Sequence, residues 1–395
     1  MLCRLPLFVF LLPSVAIAQA GEIDYWGYDY SNRLWEAPTG NDFVQVAGGH
    51  WHSVVLKADG SIVTWGSDYQ SQVSTNPSGN DFVQIAAGAW CSHAVKTDGS
   101  LVSWGNPTHS QVADTPAGND FVQVAGGGGH SLAVKTDGSL VSWGSDHRGQ
   151  VSDTPGGNGF VQVTAGKEHS LALTVNGDIA AWGGDWYGQV SDTPWGNDFV
   201  QVAAGYYHSL ALKADGSIVA WGDGAHGQGT APPGTDFVQI ASGGWHCLAL
   251  RADGSIVSWG RNDDRQVSDT PAGGNFAHVA GGWSHSLAIY APDLSLSVTN
   301  LVAGQAVSIQ ANNATPGGRV FLAYSLVGGG LNFTPWGTAR LSPPYIPLSP
   351  MTTGGNGTAT TSLSVPAGAA GVDVWLQALD WRSLTLSNGL ALTVQ

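Results

Sequence analysis

Basic residues are scarce in this chain. Its 395 residues include 14 Lys and Arg against 29 Asp and Glu, which gives a formal net charge of −15. A protein that binds nucleic acid needs a basic face to neutralise phosphates, and an anionic lipid surface makes the same demand. The charge balance therefore argues against nucleic acid and anionic lipid as partners.

Cysteine is nearly absent as well. Of the three cysteines, Cys3 lies in the N-terminal segment discussed next, which leaves Cys91 and Cys247. These two fall in the second and sixth of the repeats described below, and a closed ring holds those repeats far apart. We therefore expect free buried thiols rather than a disulfide.

Long apolar runs are missing, with one exception at the N-terminus. Residues 5–18 are mostly apolar, follow Arg4 and end at Ala18-Gln19-Ala20. The run is too short for a membrane span and has the three parts of a secretory signal peptide. We predict removal of residues 1–20, no transmembrane segment, and a secreted protein that is extracellular or lies in the periplasm and cell envelope.

What the chain has in abundance is a repeat. A phrase that begins Phe-Val-Gln-Val-Ala-Gly continues with His-Ser and an apolar run, turns at Asp-Gly and ends on Trp-Gly. Its copies are 39 residues apart, with one step of 38, and start at Phe43, Phe82, Phe121, Phe160, Phe199, Phe237 and Phe276. A period in this range indicates a repeat architecture.

Each repeat predicts a small antiparallel sheet. Three short segments rich in β-branched and aromatic residues are bounded by glycine, as strands are. A two-residue turn at Asp-Gly is expected to close the hairpin between the second and third segments. A third or fourth strand is expected to run through the stretch Gln-Val-Ser-Asp-Thr-Pro to the next Phe.

The two ends of the repeat region complete each other. Trp26-Gly27 has no Phe-Val-Gln or Asp-Gly element before it, and the repeat that begins at Phe276 stops without a Trp-Gly. An open stack would need polar capping repeats, whereas a propeller uses its first strand to finish its last blade. We therefore predict a seven-bladed propeller in which Ile23 to Gly27 joins the last blade.

A different composition begins near Asp293. The repeat ends, Cys and His are absent, and about a hundred residues of alternating strands with Gly, Pro and Asn turns follow. This pattern is typical of a small β-sandwich. The predicted fold is all-β: a signal peptide (1–20), a seven-bladed β-propeller closed by an N-terminal strand (21–291), and a small C-terminal β-sandwich serving as an accessory domain (292–395).

The variable residues lie on one face of the predicted ring. The Gly-x-x-His turns and the loops after Trp-Gly open on that face, and six of the fourteen x positions are aromatic. Aromatic side chains are the anchors that protein-binding surfaces enrich. The alternative, that they only pack over the central channel, stays open. The candidate partner-binding residues are Trp51, Trp90, Tyr206, Tyr207, Trp245 and Trp283 from the turns, with Trp186, Tyr187, Tyr69, Tyr28 and Tyr30 from the loops.

No enzyme or metal site emerges. A histidine that recurs in six repeats is related by ring symmetry, so we expect it to tie its own turn by a hydrogen bond to the backbone rather than to bind zinc. In the second repeat Cys91 takes its place, and this looks like a packing substitution. The His-Ser pairs lack an Asp partner and a nucleophile elbow. We predict no catalytic residue, no metal and no cofactor.

One stretch carries a family resemblance. The phrase Val-Ala-Ala-Gly-x-x-His-Ser-Leu-Ala-Leu-Lys-x-Asp-Gly-x-Ile-Val-x-Trp-Gly at Val202 to Gly222 resembles the regulator of chromosome condensation repeat, and the resemblance extends from Ile23 to Tyr290. It implies a seven-bladed propeller. The repeat length is similar to that of the secreted bacterial beta-lactamase inhibitory propellers, which implies a protein-binding face built from the aromatic turn residues.

The function expected from these observations is binding rather than catalysis. We expect a secreted protein whose aromatic propeller face engages a protein partner, with inhibition of that partner as one form of it. The competing hypothesis is a carbohydrate-binding or adhesion module that recognises a cell-surface polysaccharide, because Trp and Tyr also stack on sugar rings.

Overall fold

The computed structural model describes residues 21–28, 37–108 and 110–290, together with eleven strands between Ser295 and Thr393. Every regular element in these residues is a β-strand, as predicted. The predicted signal peptide lies outside the described residues.

Seven three-stranded antiparallel sheets form the propeller blades, one for each repeat. In each blade the strand that begins at the Phe of the repeat is innermost, the next strand is in the middle, and the strand ending in Trp-Gly is outermost. The inner strands are Phe43–Gly48, Phe82–Ala87, Phe121–Gly126, Phe160–Ala165, Phe199–Ala204, Phe237–Ser242 and Phe276–Gly281. The middle strands are His52–Lys57, Cys91–Lys96, His130–Lys135, His169–Thr174, His208–Lys213, His246–Arg251 and His285–Tyr290. The outer strands are Ile62–Gly66, Leu101–Gly105, Leu140–Gly144, Ile179–Gly183, Ile218–Gly222, Ile256–Gly260 and Glu22–Gly27.

The N-terminal strand closes the ring as the sequence predicts. Glu22–Gly27 pairs antiparallel with the middle strand of the seventh blade, from Glu22 opposite Tyr290 to Gly27 opposite His285. Gly21 also forms an isolated bridge with Phe43 in the first blade. The last blade is therefore assembled from both ends of the repeat region.

Two predicted details of the blades were wrong. The Asp-Gly connection is a three-residue loop, in which the Lys57 N–H donates to the Ser61 carbonyl and the Gly60 N–H to the Lys57 carbonyl. Gly60 has a φ of +84°, so the loop is a turn followed by a left-handed glycine. It is not a two-residue turn because the Asp59 carboxylate accepts the N–H of Ser61 and holds the wider loop.

The expected strand through Gln-Val-Ser-Asp-Thr-Pro is also absent from the described blades, where this stretch forms turns. In the third repeat one Asp146 carboxylate oxygen accepts the N–H groups of Val151 and Ser152, both at 2.9 Å. The Thr154 hydroxyl donates to the Val151 carbonyl at 2.6 Å. Side-chain bonds of this kind compete with a strand ladder for the backbone, so each described blade has three strands.

The hydrophobic core lies between neighbouring blades. Leu132 and Val134 of the third blade pack with Phe160, Val163 and Trp182 of the fourth, and all five are buried. Burying this apolar surface stabilises the contact between blades. Equivalent clusters recur around the ring, so adjacent blades are joined by apolar packing.

Glutamine side chains add polar bonds between inner strands. The Gln162 amide nitrogen donates to the Val202 carbonyl at 3.2 Å, and its amide oxygen accepts the Val202 N–H at 2.9 Å. Six inner strands make the same pair of bonds to the next blade. The seventh carries His278 instead, and its Nδ1 is buried without a hydrogen-bond partner. The contact from the seventh blade to the first therefore lacks this glutamine pair.

The repeated histidines have a structural role, but their predicted bonding partner was wrong. Each ring bonds through Nε2 to a serine of the next blade, because the middle strand points its histidine across the gap between blades. The seven links are His52–Ser92 (2.8 Å), His93–Ser131 (2.9 Å), His130–Ser170 (2.9 Å), His169–Ser209 (3.0 Å), His208–Ser242 (2.7 Å), His246–Ser286 (2.9 Å) and His285–Ser53 (3.0 Å). They form a closed circle around the propeller.

Cys91 and Cys247 lie where the circle departs from its common pattern, and both are free and buried. Cys91 stands where other blades have the histidine, and His93, two residues later, makes the link instead. Cys247 occupies the position that most other blades fill with serine. His208 Nε2 bonds to Ser242 in this blade, and the Cys247 thiol lies 3.2 Å from the same nitrogen. The substitution at Cys91 is thus accommodated within the packing, with the polar link preserved.

The described residues after residue 294 also lie in strands. Ser295–Thr299, Ala306–Asn312 and Ala359–Ser364 form a three-stranded antiparallel sheet. A six-stranded sheet is centred on Arg319–Ser325 and Asp373–Asp380 and includes Ile346–Pro347, Met351–Thr352, Thr385–Leu386 and Leu390–Thr393. Asn332–Thr334 and Gly337–Ala339 form a separate hairpin. The predicted boundary at residue 292 stays a prediction.

Candidate aromatic binding face

One face of the ring, here called the loop face, carries the turns between inner and middle strands. These turns are joined by a closed circle of backbone hydrogen bonds from blade to blade. The N–H donors and carbonyl acceptors are His50 to Ala89, Ala89 to Gly127, Gly128 to Gly166, Lys167 to Tyr206, Tyr206 to Gly244, Gly244 to Gly282 and Trp283 to Gly49, at 3.0–3.2 Å. The turns therefore form a continuous frame.

The loops that follow the outer strands open on the same face. The N–H of Ser67 donates to the Trp51 carbonyl at 2.7 Å, and the N–H of Arg261 donates to the Trp245 carbonyl at 2.8 Å. Each such bond ties a loop to the turn of its own blade. The opposite face, here called the Asp-Gly face, carries the Asp-Gly loops and the linkers between blades.

The aromatic side chains of the turns form one connected network. Trp51 and Trp90 are in contact, with ring centroids 4.9 Å apart, and Trp283 contacts Trp245 at 4.7 Å. Tyr206 lies 4.5 Å from Trp283 and 4.8 Å from Tyr207. The structure thus brings together all six turn residues predicted from the sequence.

His50 connects the two halves of this network. Its ring stacks on Trp283 at 3.5 Å and lies 4.6 Å from both Trp51 and Trp90. Burial lowers the pKa of His50 to about 3, and the neighbouring His285 and Lys167 act in the same direction. The imidazole is therefore neutral and behaves as one more aromatic ring.

The predicted loop residues divide into three groups. Tyr187 joins the network at 5.2 Å from Tyr207, and Trp186 lies beneath Arg148 at 4.6 Å. Tyr69 is 83% exposed and makes no ring contact with the network in the described part of the chain. Tyr28, whose N–H donates to the Ser284 carbonyl, is also exposed. Tyr30 lies outside the described residues.

Three cations lie over aromatic rings on this face. Arg148 covers Trp186, Arg261 lies 5.2 Å from the centroid of Trp245, and Lys167 lies 4.5 Å from that of Tyr206. Such contacts are favourable because the ring face is electron-rich. These cations were not among the residues predicted from the sequence, because that prediction rested on aromatic anchors.

The third blade interrupts the network. Its turn residues are Gly128 and Gly129, and a Cβ at Gly128 would come within 2.5 Å of the Lys167 carbonyl oxygen, so only glycine fits there. The Glu168 carboxylate beside this gap pairs with His147 at 3.4 Å and Arg148 at 3.9 Å. The aromatic network therefore has an open, polar edge at the third and fourth blades.

Trp195 is an aromatic residue that was not among the predicted site residues. It is fully exposed and lies in the linker before the fifth blade, on the Asp-Gly face. The sequence could have indicated this residue, because the corresponding position in the preceding linker is Gly156, which has no side chain. It offers a natural control for experiments on the loop face.

The channel along the ring axis has a volume of about 300 Å³. Backbone and small side chains of the seven inner strands line it, and His50, Lys167, Tyr206 and Trp283 surround its mouth on the loop face. The nearby thiols are poor nucleophiles, since burial raises the pKa of Cys91 to about 12 and that of Cys247 well above its ordinary value.

In the described residues, no cluster of three or more His, Cys, Asp or Glu side chains is suited to a metal ion. These residues also contain no helix with the length and apolar character needed to span a membrane.

Comparison with known proteins concerns the repeats and the fold. The family model for the Regulator of chromosome condensation (RCC1) repeat matches residues 43–72, 121–150, 160–189, 199–228 and 237–266. The second and seventh repeats are not matched; they contain Cys91 and His278 at positions that other blades fill with His and Gln. No curated protein sequence matches the chain.

Solved structures with the same fold include two propellers that are 18% identical in sequence. Prp20p from Saccharomyces cerevisiae covers 69% of this chain, with 93% of its own length aligned and a TM-score of 0.58. Its structure was described together with its binding to Gsp1p and histones. Human WBSCR16 covers 69%, with 99% of its own length aligned and a TM-score of 0.58.

A third match is the ectodomain of the receptor kinase CR4 from Physcomitrella patens. It is 20% identical and covers 61% of this chain and 68% of its own, with a TM-score of 0.51. At these identities the likeness concerns the fold. The seven described blades form a β-propeller, which is the fold of these structures, and five of the seven repeats match the regulator of chromosome condensation repeat.

Proposed function

We propose that the chain is a secreted, non-enzymatic binding protein whose loop face engages a protein partner. The observation that carries this proposal is the connected aromatic network held on a closed frame of backbone bonds. Binding becomes inhibition where the covered surface of the partner includes its active site. Residues 1–20 would direct export and be removed in the process.

The network has the properties of a pre-formed binding surface. Trp51 remains 39% exposed and Trp186 62% exposed, although their rings already contact neighbours. Aromatic anchors of this kind commonly contribute about 2 kcal/mol or more each to binding. Because the backbone frame and mutual ring contacts already restrict these side chains, less conformational entropy is lost when a partner docks.

The two described ends of the propeller lie at the opposite face. The first described strand starts at Glu22 and the last propeller strand ends at Tyr290, and these two residues are paired with each other. Tyr290 also pairs with Phe276 in the seventh blade. The equivalent pair in the first blade is Lys57 and Phe43, which lies beside the Asp-Gly loop. The chain therefore enters and leaves the propeller at the Asp-Gly face, away from the aromatic network.

The buried polar groups favour binding over catalysis. The histidines of the circle are fully buried and bond to serines between blades, so they face neither the channel mouth nor the loop face. Burial lowers the pKa of His130 to about 3 and that of His169 to about 4, which keeps both neutral near pH 7. A neutral, enclosed imidazole has no access to a substrate.

A pull-down from the host's secreted and envelope fractions tests the proposal. The bait is the exported chain, which should begin at Gly21, beside a variant with Ala at Trp51, Trp90, Tyr207 and Trp245. A matched control carries Ala at Trp195, on the opposite face. We expect one protein to be retained by the wild type and the control and lost by the fourfold variant.

The thermal unfolding of the fourfold variant decides how a loss of binding is interpreted. A near-normal transition assigns the four side chains to binding, whereas a large loss of stability assigns them to packing over the channel. Equal capture by all three baits, or capture of polysaccharide alone, would contradict the proposal and favour the carbohydrate-binding alternative.

A further inference from the structure

Lys167 differs from every other described lysine. The other four end the middle strands at the Asp-Gly face, and each pairs with an aspartate: Lys57 with Asp42, Lys96 with Asp81, Lys135 with Asp120 and Lys213 with Asp198, at 3.1–3.3 Å. Among the described residues no carboxylate lies within 4.0 Å of the Lys167 ammonium group. This lysine lies on the loop face, at the mouth of the channel.

Two tyrosines of the aromatic network hold the ammonium group. Lys167 Nζ donates a hydrogen bond to the Tyr207 hydroxyl at 2.7 Å and lies 4.5 and 5.0 Å from the ring centroids of Tyr206 and Tyr207. Partial burial acts to lower the pKa of Lys167, but hydrogen bonds with the two tyrosine hydroxyls outweigh it, and the pKa is raised. The side chain is therefore positively charged.

The neighbouring charges on this face are already paired. Glu168 interacts with His147 and Arg148, and Arg261 donates to Asp263 at 2.8 Å. Lys167 is thus the cation within the aromatic network that has no acidic partner in the described residues. The glycine turn of the third blade lies against its aliphatic stem, so no side chain of that turn covers it.

A partner that covers this face must supply a group that pairs with the positive charge of Lys167. An ammonium group has three N–H donors and no acceptor. When docking removes its water, leaving the charge unpaired is unfavourable, and an opposite charge with good hydrogen-bond geometry offsets that cost. The tyrosine rings compensate only in part, because a cation–π contact is weaker than a paired opposite charge.

We propose that the protein partner seats an Asp or Glu carboxylate on Lys167, within a docking element whose other contacts are apolar or aromatic. This inference rests on the proposed protein-binding function. Lys167 is then the residue that selects an acidic docking element, while the surrounding rings supply the contact area.

The test uses a phage-displayed library of random 12-residue peptides, panned against the full chain. Peptides that bind the wild type and the Trp195→Ala control, and lose binding to Trp245→Ala, define the loop face. We expect them to contain an Asp or Glu beside aromatic or apolar residues. Changing that acid to its amide should weaken binding to the wild type about 30-fold.

The same peptide pair is then titrated against Lys167→Met and Lys167→Arg. Lys167→Met should bind the acidic and amide peptides equally, and Lys167→Arg should keep most of the preference for the acid. Loop-face peptides that lack an acid, or whose acid matters equally with Lys167→Met, would overturn this inference and leave the proposed function standing. Failure to enrich any loop-face peptide would overturn both.

An anionic polysaccharide is the remaining outcome. If polygalacturonate binds the wild type and not Lys167→Met, while no peptide depends on Lys167, the carboxylate belongs to a sugar polymer and the protein-partner inference is wrong. Neutral glucan serves as the control for stacking without charge.

Discussion

Acid should destabilise this protein because unfolding releases histidines that the fold keeps neutral. Burial lowers the pKa to about 3 or 4 in nine of them: His50, His52, His93, His130, His169, His208, His246, His278 and His285. A histidine in the unfolded chain has a pKa near 6.5. The unfolded state therefore binds more protons, and stability that is fully present above pH 6.5 is lost as the pH falls toward about 3.

The expected size of this loss follows from the difference in pKa. At pH 5 the unfolded state gains about 2 kcal/mol for each such histidine, because 1.5 pH units separate pH 5 from the unfolded pKa. Nine histidines together would remove more than about 10 kcal/mol, which is comparable with the whole stability of a typical domain. Unfolding at pH 5 should accordingly take up about nine protons from these groups.

Calorimetry counts these protons. Unfolding enthalpies at pH 6, where the fold keeps more of its stability, in two buffers of different ionisation enthalpy give the number taken up. About three-quarters of the unfolded histidines are protonated at this pH, so we expect an uptake of about seven protons. His246→Asn should lower the count by about one, whereas His226→Asn removes an exposed histidine and serves as the control. An uptake of two protons or fewer would refute the reasoning, since it would mean that the buried rings are already protonated in the fold.

Two substitutions test the polar links between blades. Ser170→Ala removes the Nε2 partner of His130, whose Nδ1 is already unpartnered. We expect the free energy of unfolding, measured in urea, to fall by about 1–3 kcal/mol. Ser78→Ala changes an exposed side chain and should alter this free energy little. Equal effects of these two changes would show that the link between blades contributes nothing. His278→Gln should supply the glutamine pair missing between the seventh and first blades and raise stability by about 1 kcal/mol, as judged by the unfolding midpoint; a lower midpoint would contradict this.

The ring itself could be predicted because the sequence states it redundantly. Six Phe-Val-Gln starts and a seventh start at Phe276, all in register, together with an orphan Trp26-Gly27, leave a closed propeller as the simplest arrangement. Glu22–Gly27 pairs where this predicts. The turn type and the linker could not be predicted in the same way. They depend on which backbone N–H groups the carboxylates of Asp59 and Asp146 accept, and the strand pattern does not contain that information.

The links between blades escaped prediction for a different reason. The partner of a histidine such as His52 is Ser92, forty residues away in the next repeat. A single repeat suggests a bond within the turn, because it does not contain the serine of the next blade. The recurring His-Ser pair was the available signal.

The candidate site was predictable as a set of residues and not as a geometry. Alternating strand direction places Trp51, Trp245 and Tyr207 on one face, which requires only the strand count. His50 joins the network because burial removes water from its ring and keeps the ring neutral. The isolation of Lys167 from carboxylates depends on the positions of every other charge, which only the folded ring defines.

Oxidative footprinting tests most directly whether the aromatic loop face is the surface that binds. Hydroxyl radicals modify exposed tryptophans, so Trp51 and Trp186 on the loop face and Trp195 on the Asp-Gly face are reporters in the free protein. With the partner from the pull-down bound, we predict that Trp51 and Trp186 are protected while Trp195 is oxidised as before. Protection of Trp195 with unchanged oxidation of Trp51 and Trp186 would contradict the account.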